Sequence, residues 1–301
     1  MTTIIRATSS GPMSTASKTP VKAAGASLVS IGLPIFNGAG RIAATIDGLL
    51  AQTNPNFELI ISDNGSTDET TEICKNFATR DKRIKYFRQT KNIGAALNFK
   101  FVLEEARGKY FFWAACDDTR SSDFVEVNVA FLEANPDYCA STSQARDEGG
   151  KFNPRWMGDG PLNQETYEKK ILTYFKGWHR NAIFYSIYRR DAMANHPLLY
   201  HPEFLGQDWA MIMHSARFGH FQRLERGELV LGKGGVSKGI RHLRSSRKRR
   251  IEYFFPHWEL SMYLKKISKD FSLRGRIILF TRAAILNIRA NLMRLIHLFD
   301  S

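Results

Sequence analysis

The sequence predicts an α/β fold, with a mostly parallel central sheet, helices on both faces and a basic helical extension at the C-terminal end. Three observations lead there. Short apolar runs alternate with segments of helical periodicity from residue 28 to about residue 134, the order that builds a parallel sheet crossed by helices. Those runs are apolar throughout rather than every second residue, as strands covered on both sides must be. The charge is also segregated. The 301 residues carry 43 Lys and Arg against 29 Asp and Glu, a net +14. Residues 28–232 hold 24 basic and 25 acidic side chains, whereas residues 233–301 hold 16 basic and 4 acidic.

The first strand is read at Leu28–Leu33, ended by Pro34, and the helix at 40–52 shows Ile42, Ile46, Leu49 and Leu50 at helical spacing. A second strand, Phe57–Ser62, leads into the turn-forming DNGST and a helix from about Asp68, with Ser66 or Thr67 as its N-cap. Ile84–Phe87 is a third strand, a helix follows over about 92–105, and Tyr110–Ala115 (YFFWAA) is a fully buried strand. Helices are expected at about 122–134 and 206–218. Residues 1–26 have too little apolar content to order themselves and are expected to be a disordered tail. The domain division is therefore a tail over 1–26, one α/β domain over 27–235 and a basic, mainly helical extension over 236–301.

Composition narrows the function. A near-neutral core with charge confined to one end is not the footprint of a protein that binds nucleic acid over its whole surface, so nucleic acid is an unlikely partner. Cys74, Cys116 and Cys139 contain no C-x-x-C pair, which argues against a zinc or dithiol redox site and for a reducing, cytoplasmic setting. No apolar run is long enough to span a bilayer.

In open α/β sheets, ligands bind beyond the carboxyl ends of the strands. Here those ends are 34–38, 63–68, 91–94 and 116–119. In Asp63-Asn64-Gly65-Ser66-Thr67-Asp68 the side chains of Asp63 and Asn64 can bond a base or ribose and the following helix start suits an anion, although the same residues also make an ordinary capped turn. Asp117 and Asp118 follow a buried strand, where unpaired carboxylates are expensive. A divalent cation, Mg²⁺ or Mn²⁺, is an economical partner and would bridge a diphosphate; capping of the next helix is the other reading, and suits Asp118 better than Asp117. Asp208, in the first turn of a helix, is either a cap or, if it faces the same cleft as Asp117, a general base.

Taken together, PIFNG (34–38), SDNGSTD (62–68), NIGAALN (92–98), CDD (116–118) and GQDW (206–209) resemble, in order and spacing, the family-2 glycosyltransferases over about residues 27–235. The resemblance implies the GT-A (nucleotide-diphospho-sugar transferase) fold, a nucleotide-sugar donor, a divalent metal and transfer with inversion. On it, Pro34 and Asn37 lie beneath the nucleotide and Asp63 contacts the base, with Asn64 in place of a frequent second acid. Asn92 and Gly94 belong to the donor side. Asp117 matches the metal-binding end of the family's Asp-x-Asp motif, whose first acid falls on Ala115, and Asp118 is a secondary candidate. Asp208 matches the base that deprotonates the acceptor, preceded by Gln207 where Glu is common. A late metal-binding histidine is absent from KGGVS (233–237), which leaves His242 as a weak substitute.

Residues 274–299 form a basic amphipathic segment of helical length without acids before Asp300. It either lies in an anionic membrane interface, helped by the aromatic IEYFFPHW (251–258), or packs on the core. The basic run 244–250 is a phosphate-binding or simply a solvated segment. Lys176–Arg180, Arg189 and Arg190 fall where acceptor contacts would lie, or form a solvated basic face. The reading that follows is a peripheral enzyme at the cytoplasmic face of the membrane, adding a sugar to a glycan or lipid-linked acceptor in cell-surface polysaccharide or glycoconjugate synthesis. Two alternatives are a nucleotidyltransferase-like enzyme, which would want a Gly-rich basic phosphate loop that Pro34–Gly38 does not provide, and a non-catalytic anionic membrane or nucleic-acid binding module, which would show steep salt dependence without nucleotide-sugar affinity.

Overall fold

The computed structural model of the chain describes residues 28–193, 196, 204–232 and 250–299, with side chains to 292. The expected tail over 1–26, KGGVS (233–237), His242 and all of the basic run 244–250 except Arg250 lie outside the described residues.

The first α/β units form where the apolar runs require them. Strand β1 (Val29–Ile35) is followed by helix α1 (Ala39–Leu50), β2 (Phe57–Asp63) by α2 (Thr70–Arg80), β3 (Ile84–Arg88) by α3 (Ala95–Glu104), and β4 (Tyr110–Trp113) by a short β5 (Thr119–Arg120) and α4 (Phe124–Ala134). β1 runs through Pro34 rather than stopping there. The Gly32 carbonyl accepts from the Ala114 N–H, so Gly32 and Pro34 face the β4 side; β4 ends at Trp113 opposite Gly32, and the N–H that Pro34 lacks has no strand to meet.

Then come β6 (Tyr138–Asp147), α5 (Pro154–Met157), α6 (Tyr167–Tyr174), β7 (Ile187–Arg189), α7 (Gln207–Ser215), β8 (His220–Leu231), α8 (Trp258–Ile267) and α9 (Leu273–Phe299). One sheet has the order β3-β2-β1-β4-β7-β6-β8-β5. β3, β2, β1 and β4 are mutually parallel, β7 is antiparallel to both β4 and β6, β8 is parallel to β6, and β5 is antiparallel to β8.

Alternate residues of β4 enter different cores, so both sheet faces are covered. Phe111 and Trp113 pack with side chains of α3, α6, α7, α8 and α9, while Tyr110 and Phe112 pack with α1, α2 and α4. Leu279, Ala283 and Leu286 of α9 join the first of these cores, and Arg282 donates to the Leu172 carbonyl at 2.6 Å. One face of α9 therefore docks on the domain. The opposite face leaves Leu273, Ile277, Phe280, Ile285, Ile288 and Leu292 exposed. Among the described residues no helix is long and apolar enough to cross a membrane.

Candidate active site

The carboxyl ends of β1, β2 and β4 deliver the expected loops to one edge of the sheet, and hydrogen bonds lash those loops together. Asn37, held at φ 50°, accepts from the Thr67 N–H through its side chain at 2.9 Å, and its own N–H donates to Ser66 Oγ at 2.9 Å. The N–H groups of Gly38 and Ala39 donate to Thr70 and Asp68, so the start of α1 is satisfied by the turn after β2. Helix α2 begins at Thr70, later than the sequence suggests, because Asp68 takes the Thr70 N–H at 3.1 Å.

Asp63 is fully buried, and its oxygens are engaged within the chain. Oδ1 accepts from the Ser66 N–H at 2.8 Å; Oδ2 accepts from the Thr71 hydroxyl at 2.6 Å and the Tyr86 hydroxyl at 2.9 Å. Asn64 is 3% exposed and likewise turns inward. Its Oδ1 accepts from the Ile93 N–H and its amide donates to Asn92 Oδ1 at 3.1 Å and to the Gly94 carbonyl. Gly94 opens α3 at φ 89°. Gly65 sits at φ 74°, and a Cβ there would come within 2.9 Å of the Lys91 backbone, so only glycine lets the two loops approach. Asp63, Asn64, Asn92 and Gly94 thus shape the rim, with the side chains of Asp63 and Asn64 facing the fold.

Asp117 and Asp118 do not cap α4, which β5 separates from them and Asp123 precedes. Their turn is closed from the far side by the end of β8. The Gly232 N–H donates to Asp118 Oδ1 at 3.1 Å, and a Cβ on Gly232 would lie 2.0 Å from the Asp117 carbonyl oxygen. Asp118 is 6% exposed and its Oδ2 is buried without a hydrogen-bond partner. Burial pushes the Asp118 carboxyl up to about 6, with the Asp117 charge adding to the rise and Arg120, the Gly232 N–H and Arg180 opposing it. The Arg120 guanidinium spans the rings of Phe112, Phe124 and Tyr185 and donates to the Trp113 carbonyl at 3.1 Å.

An orphaned, desolvated carboxylate oxygen beside a second carboxylate is an arrangement that a hard cation would complete. Asp117 and Asp118 are the residues present to hold one. Among the described residues no three His, Cys, Asp or Glu side chains come together as a fuller ligand set; an ion held by this pair alone would draw the rest of its shell from water and phosphate oxygens.

Asp208 lies in the first turn of α7, whose N-cap Gly206 is left-handed at φ 88°. The side chain reaches across to Asn181, whose amide donates to Asp208 Oδ2 at 2.8 Å. Asn181 is itself buried at φ 56°. It accepts from the Tyr174 hydroxyl, and its N–H donates to His179 Nδ1 at 3.0 Å. His179 is therefore the tautomer with its proton on Nε2, directed at the Tyr174 carbonyl 3.1 Å away. Its ring stacks on Trp209 at 4.2 Å and 8°, and burial lowers it to about 4, which keeps it neutral.

The Tyr185 ring lies 6.0 Å from the Arg120 guanidinium, next to the acidic turn. Burial raises its hydroxyl above the ordinary tyrosine range, and the charges of Asp118, Asp117 and Asp208 all push it the same way, against Arg120. One phenol thus stands within the field of the three carboxylates named from the sequence. Asn181, Tyr185 and Gly232 are the site residues that sequence reasoning missed, and none belongs to a motif that would have marked it.

Among relatives, the chain is 38% identical to an uncharacterized glycosyltransferase of Rickettsia felis over 128 residues, 41% of this chain and 20% of the relative. It is 34% identical to the putative teichuronic acid biosynthesis glycosyltransferase TuaG of Bacillus subtilis over 105 residues, 35% of this chain and 42% of the relative. The matches thus span from a fifth to about two fifths of these relatives' lengths. Its fold matches the crystal structure of the 1–349 segment of S. aureus TarS in complex with UDP-GlcNAc, with TM-score 0.63 and 18% identity over 83% of this chain and 70% of that one. The model of glycosyl transferase family 2 matches residues 30–196, more than half of the chain, and with the GT-A architecture described above this chain belongs to that family.

Proposed function

We propose that the protein transfers a sugar from a nucleotide-sugar donor to a glycan or lipid-linked acceptor with inversion, in cell-surface polysaccharide or glycoconjugate synthesis. One observation carries this reading: in a chain of glycosyl transferase family 2, the buried Asp118 Oδ2 is left without a hydrogen-bond partner beside Asp117 beyond the end of β4, while Asn181 holds Asp208. In that arrangement the strand-end pair is the diphosphate end and Asp208 the proton-accepting end. TuaG and the TarS complex, similar to this chain, support the substrate class.

The residues divide the work. Pro34 and Asn37 lie beneath the nucleotide, and Asp63, Asn64, Asn92 and Gly94 act by fixing the rim against which the base and ribose rest. Asp117 and Asp118 would hold the divalent cation, Mn²⁺ or Mg²⁺, which would supply positive charge against the diphosphate. Asp208 accepts the proton of the acceptor hydroxyl as that oxygen attacks the anomeric carbon; because the attack comes from the side opposite the leaving diphosphate, the configuration inverts. Asn181 fixes Oδ2 of this carboxylate and so sets the direction of its side chain.

The exposed face of α9, with Phe254 and Phe255 73% and 48% exposed beside it and Asn291 bonded to the Phe254 carbonyl at 2.7 Å, supports peripheral attachment to an anionic membrane at its cytoplasmic face. Apolar residues would enter the acyl boundary, and the basic charge of residues 233–301 would meet the phosphates.

The test is a thermal-shift and donor-hydrolysis screen of UDP-, GDP-, dTDP- and CMP-sugars with and without Mn²⁺. Stabilisation by one nucleotide, dependent on the cation and lost in Asp117→Ala, is expected; no shift and no hydrolysis with any of them would remove the proposal. Asp208→Asn should keep donor binding and lower transfer by about 10²–10⁴-fold.

A further inference from the structure

Three residues before Asn181 in the chain, Trp178 meets Trp156 in a pair of tryptophans that the fold leaves open. Trp156 and Trp178 are 46% and 47% exposed, with ring centroids 5.5 Å apart and planes at 44°. Two large rings touching each other in water leave apolar area unburied that a ligand could cover. The pair is also braced. Trp156 Nε1 donates to Asp147 Oδ2 at 2.9 Å, its N–H to Asn153 Oδ1 at 3.1 Å, and its carbonyl accepts from the Arg180 N–H at 2.8 Å. The Arg180 guanidinium pairs with the other Asp147 oxygen.

The same short loop ties this platform to the reacting end. Within 178–181, Trp178 faces solvent, His179 stacks on Trp209, Arg180 grips Asp147 and acts on Asp118, and Asn181 holds Asp208. Lys151, Arg155 and Lys176, close to the two tryptophans in the chain, are exposed.

We propose that Trp156 and Trp178 form the acceptor subsite, a stacking platform for an anionic saccharide, one carrying carboxylate or phosphate groups, whose hydroxyl is presented to Asp208. The inference rests on the glycosyl-transfer reading above. A pyranose ring presents a face of C–H groups to an aromatic plane and a rim of hydroxyls to polar neighbours, and a rigid aromatic pair meets that demand with little ordering of its own. Lys151, Arg155 and Lys176 supply the complement to negative charge, and the Asp147 carboxylate, engaged by Trp156 and Arg180, is already compensated.

The experiment is binding of the full chain to an array of neutral and anionic bacterial oligosaccharides, with donor affinity measured in parallel. The wild type should retain anionic glycans, less so as salt rises. Trp156→Ala and Trp178→Ala should each weaken retention about tenfold, the double variant should abolish it, and Trp178→Phe should restore most of it, all with unchanged nucleotide-sugar affinity. A wild type that binds donor but no glycan, or a double variant that binds glycans as the wild type does, overturns the subsite. Equal retention of neutral glycans overturns its anionic character. Either result leaves glycosyl transfer standing, whereas absence of donor binding and hydrolysis would remove that reading instead.

Discussion

The Asn181 amide donates to Asp208 Oδ2 at 2.8 Å from a backbone held at φ 56°, a conformation that asparagine tolerates better than most residues. Asn181 is therefore a positioning residue for the proposed base. Asn181→Gly keeps the backbone and deletes the amide; it should lower kcat about 10–100-fold with little change in donor KM. Asn181→Asp places a second carboxylate against Asp208, which favours the protonated base, so the acid limb of the pH profile of kcat/KM should move upward by about one unit or more. The Asp208 charge raises both the Tyr174 and Tyr185 hydroxyls, and His179, bonded to the Asn181 N–H, is kept neutral by burial. An unmoved limb in Asn181→Asp, with activity merely reduced in proportion to lost stability, would show a packing role only.

Gly232, just after β8, packs directly on the Asp117–Asp118 turn. A methyl group there has 2.0 Å to the Asp117 carbonyl oxygen and 2.7 Å to its Cβ, so the turn must shift. Gly232→Ala should destabilise the protein by about 1–3 kcal/mol and weaken cation-dependent nucleotide binding by tenfold or more, while leaving Trp156 and Trp178 in place. Urea unfolding and calorimetric titration of nucleotide with Mn²⁺ read the two effects separately. Wild-type nucleotide affinity in this variant would mean that the turn tolerates the displacement without losing its cation site.

How much of this was legible beforehand depends on what each residue's neighbours are. β1, β2 and β4 were readable because their apolar runs can only be buried strands. β6 was not, since YCASTSQARD reads as polar. Its Ser141 and Ser143 are nonetheless fully buried, because Asn128 of α4 bonds both hydroxyls, at 2.7 and 2.8 Å. A polar residue whose partner lies on another element carries no local sign of burial. β8 was hidden similarly, its pattern broken at Gly227, where φ is 75° and the register with β6 shifts. At the site, the carboxylates were visible as strand-end acids, but the orphaned Asp118 Oδ2 and the inward turn of Asp63 and Asn64 depend on groups more than one element away.

His179, His196, His214 and His257 are pushed down to about 4, 3, 4 and 4, in each case first by burial. In the unfolded chain they take up protons near pH 6.5. Between about pH 6.5 and 4 the unfolded state therefore binds more protons than the folded one, and stability falls as pH falls. The urea midpoint should decline steadily across that window, and His179→Gln should flatten the decline. A midpoint independent of pH from 6.5 to 4.5 would mean that these rings are hydrated in solution.

The exposed face of α9 cannot be tested by removing the helix. Leu279, Ala283 and Leu286, with Leu260 and Leu264 of α8, belong to the core that also holds Trp209, so truncation after about residue 235 would open that core and confound attachment with unfolding. Substitution on the outer face avoids this, because Ile277 and Ile288 are both 58% exposed. Ile277→Asp with Ile288→Asp should leave the urea midpoint and nucleotide binding close to wild type, yet remove most sedimentation with vesicles containing phosphatidylglycerol at low salt. The apolar contribution is lost and two negative charges are set against the lipid phosphates. Undiminished sedimentation of this variant would assign membrane binding to the basic charge alone, and no sedimentation of the wild type would leave the outer face of α9 without a lipid partner.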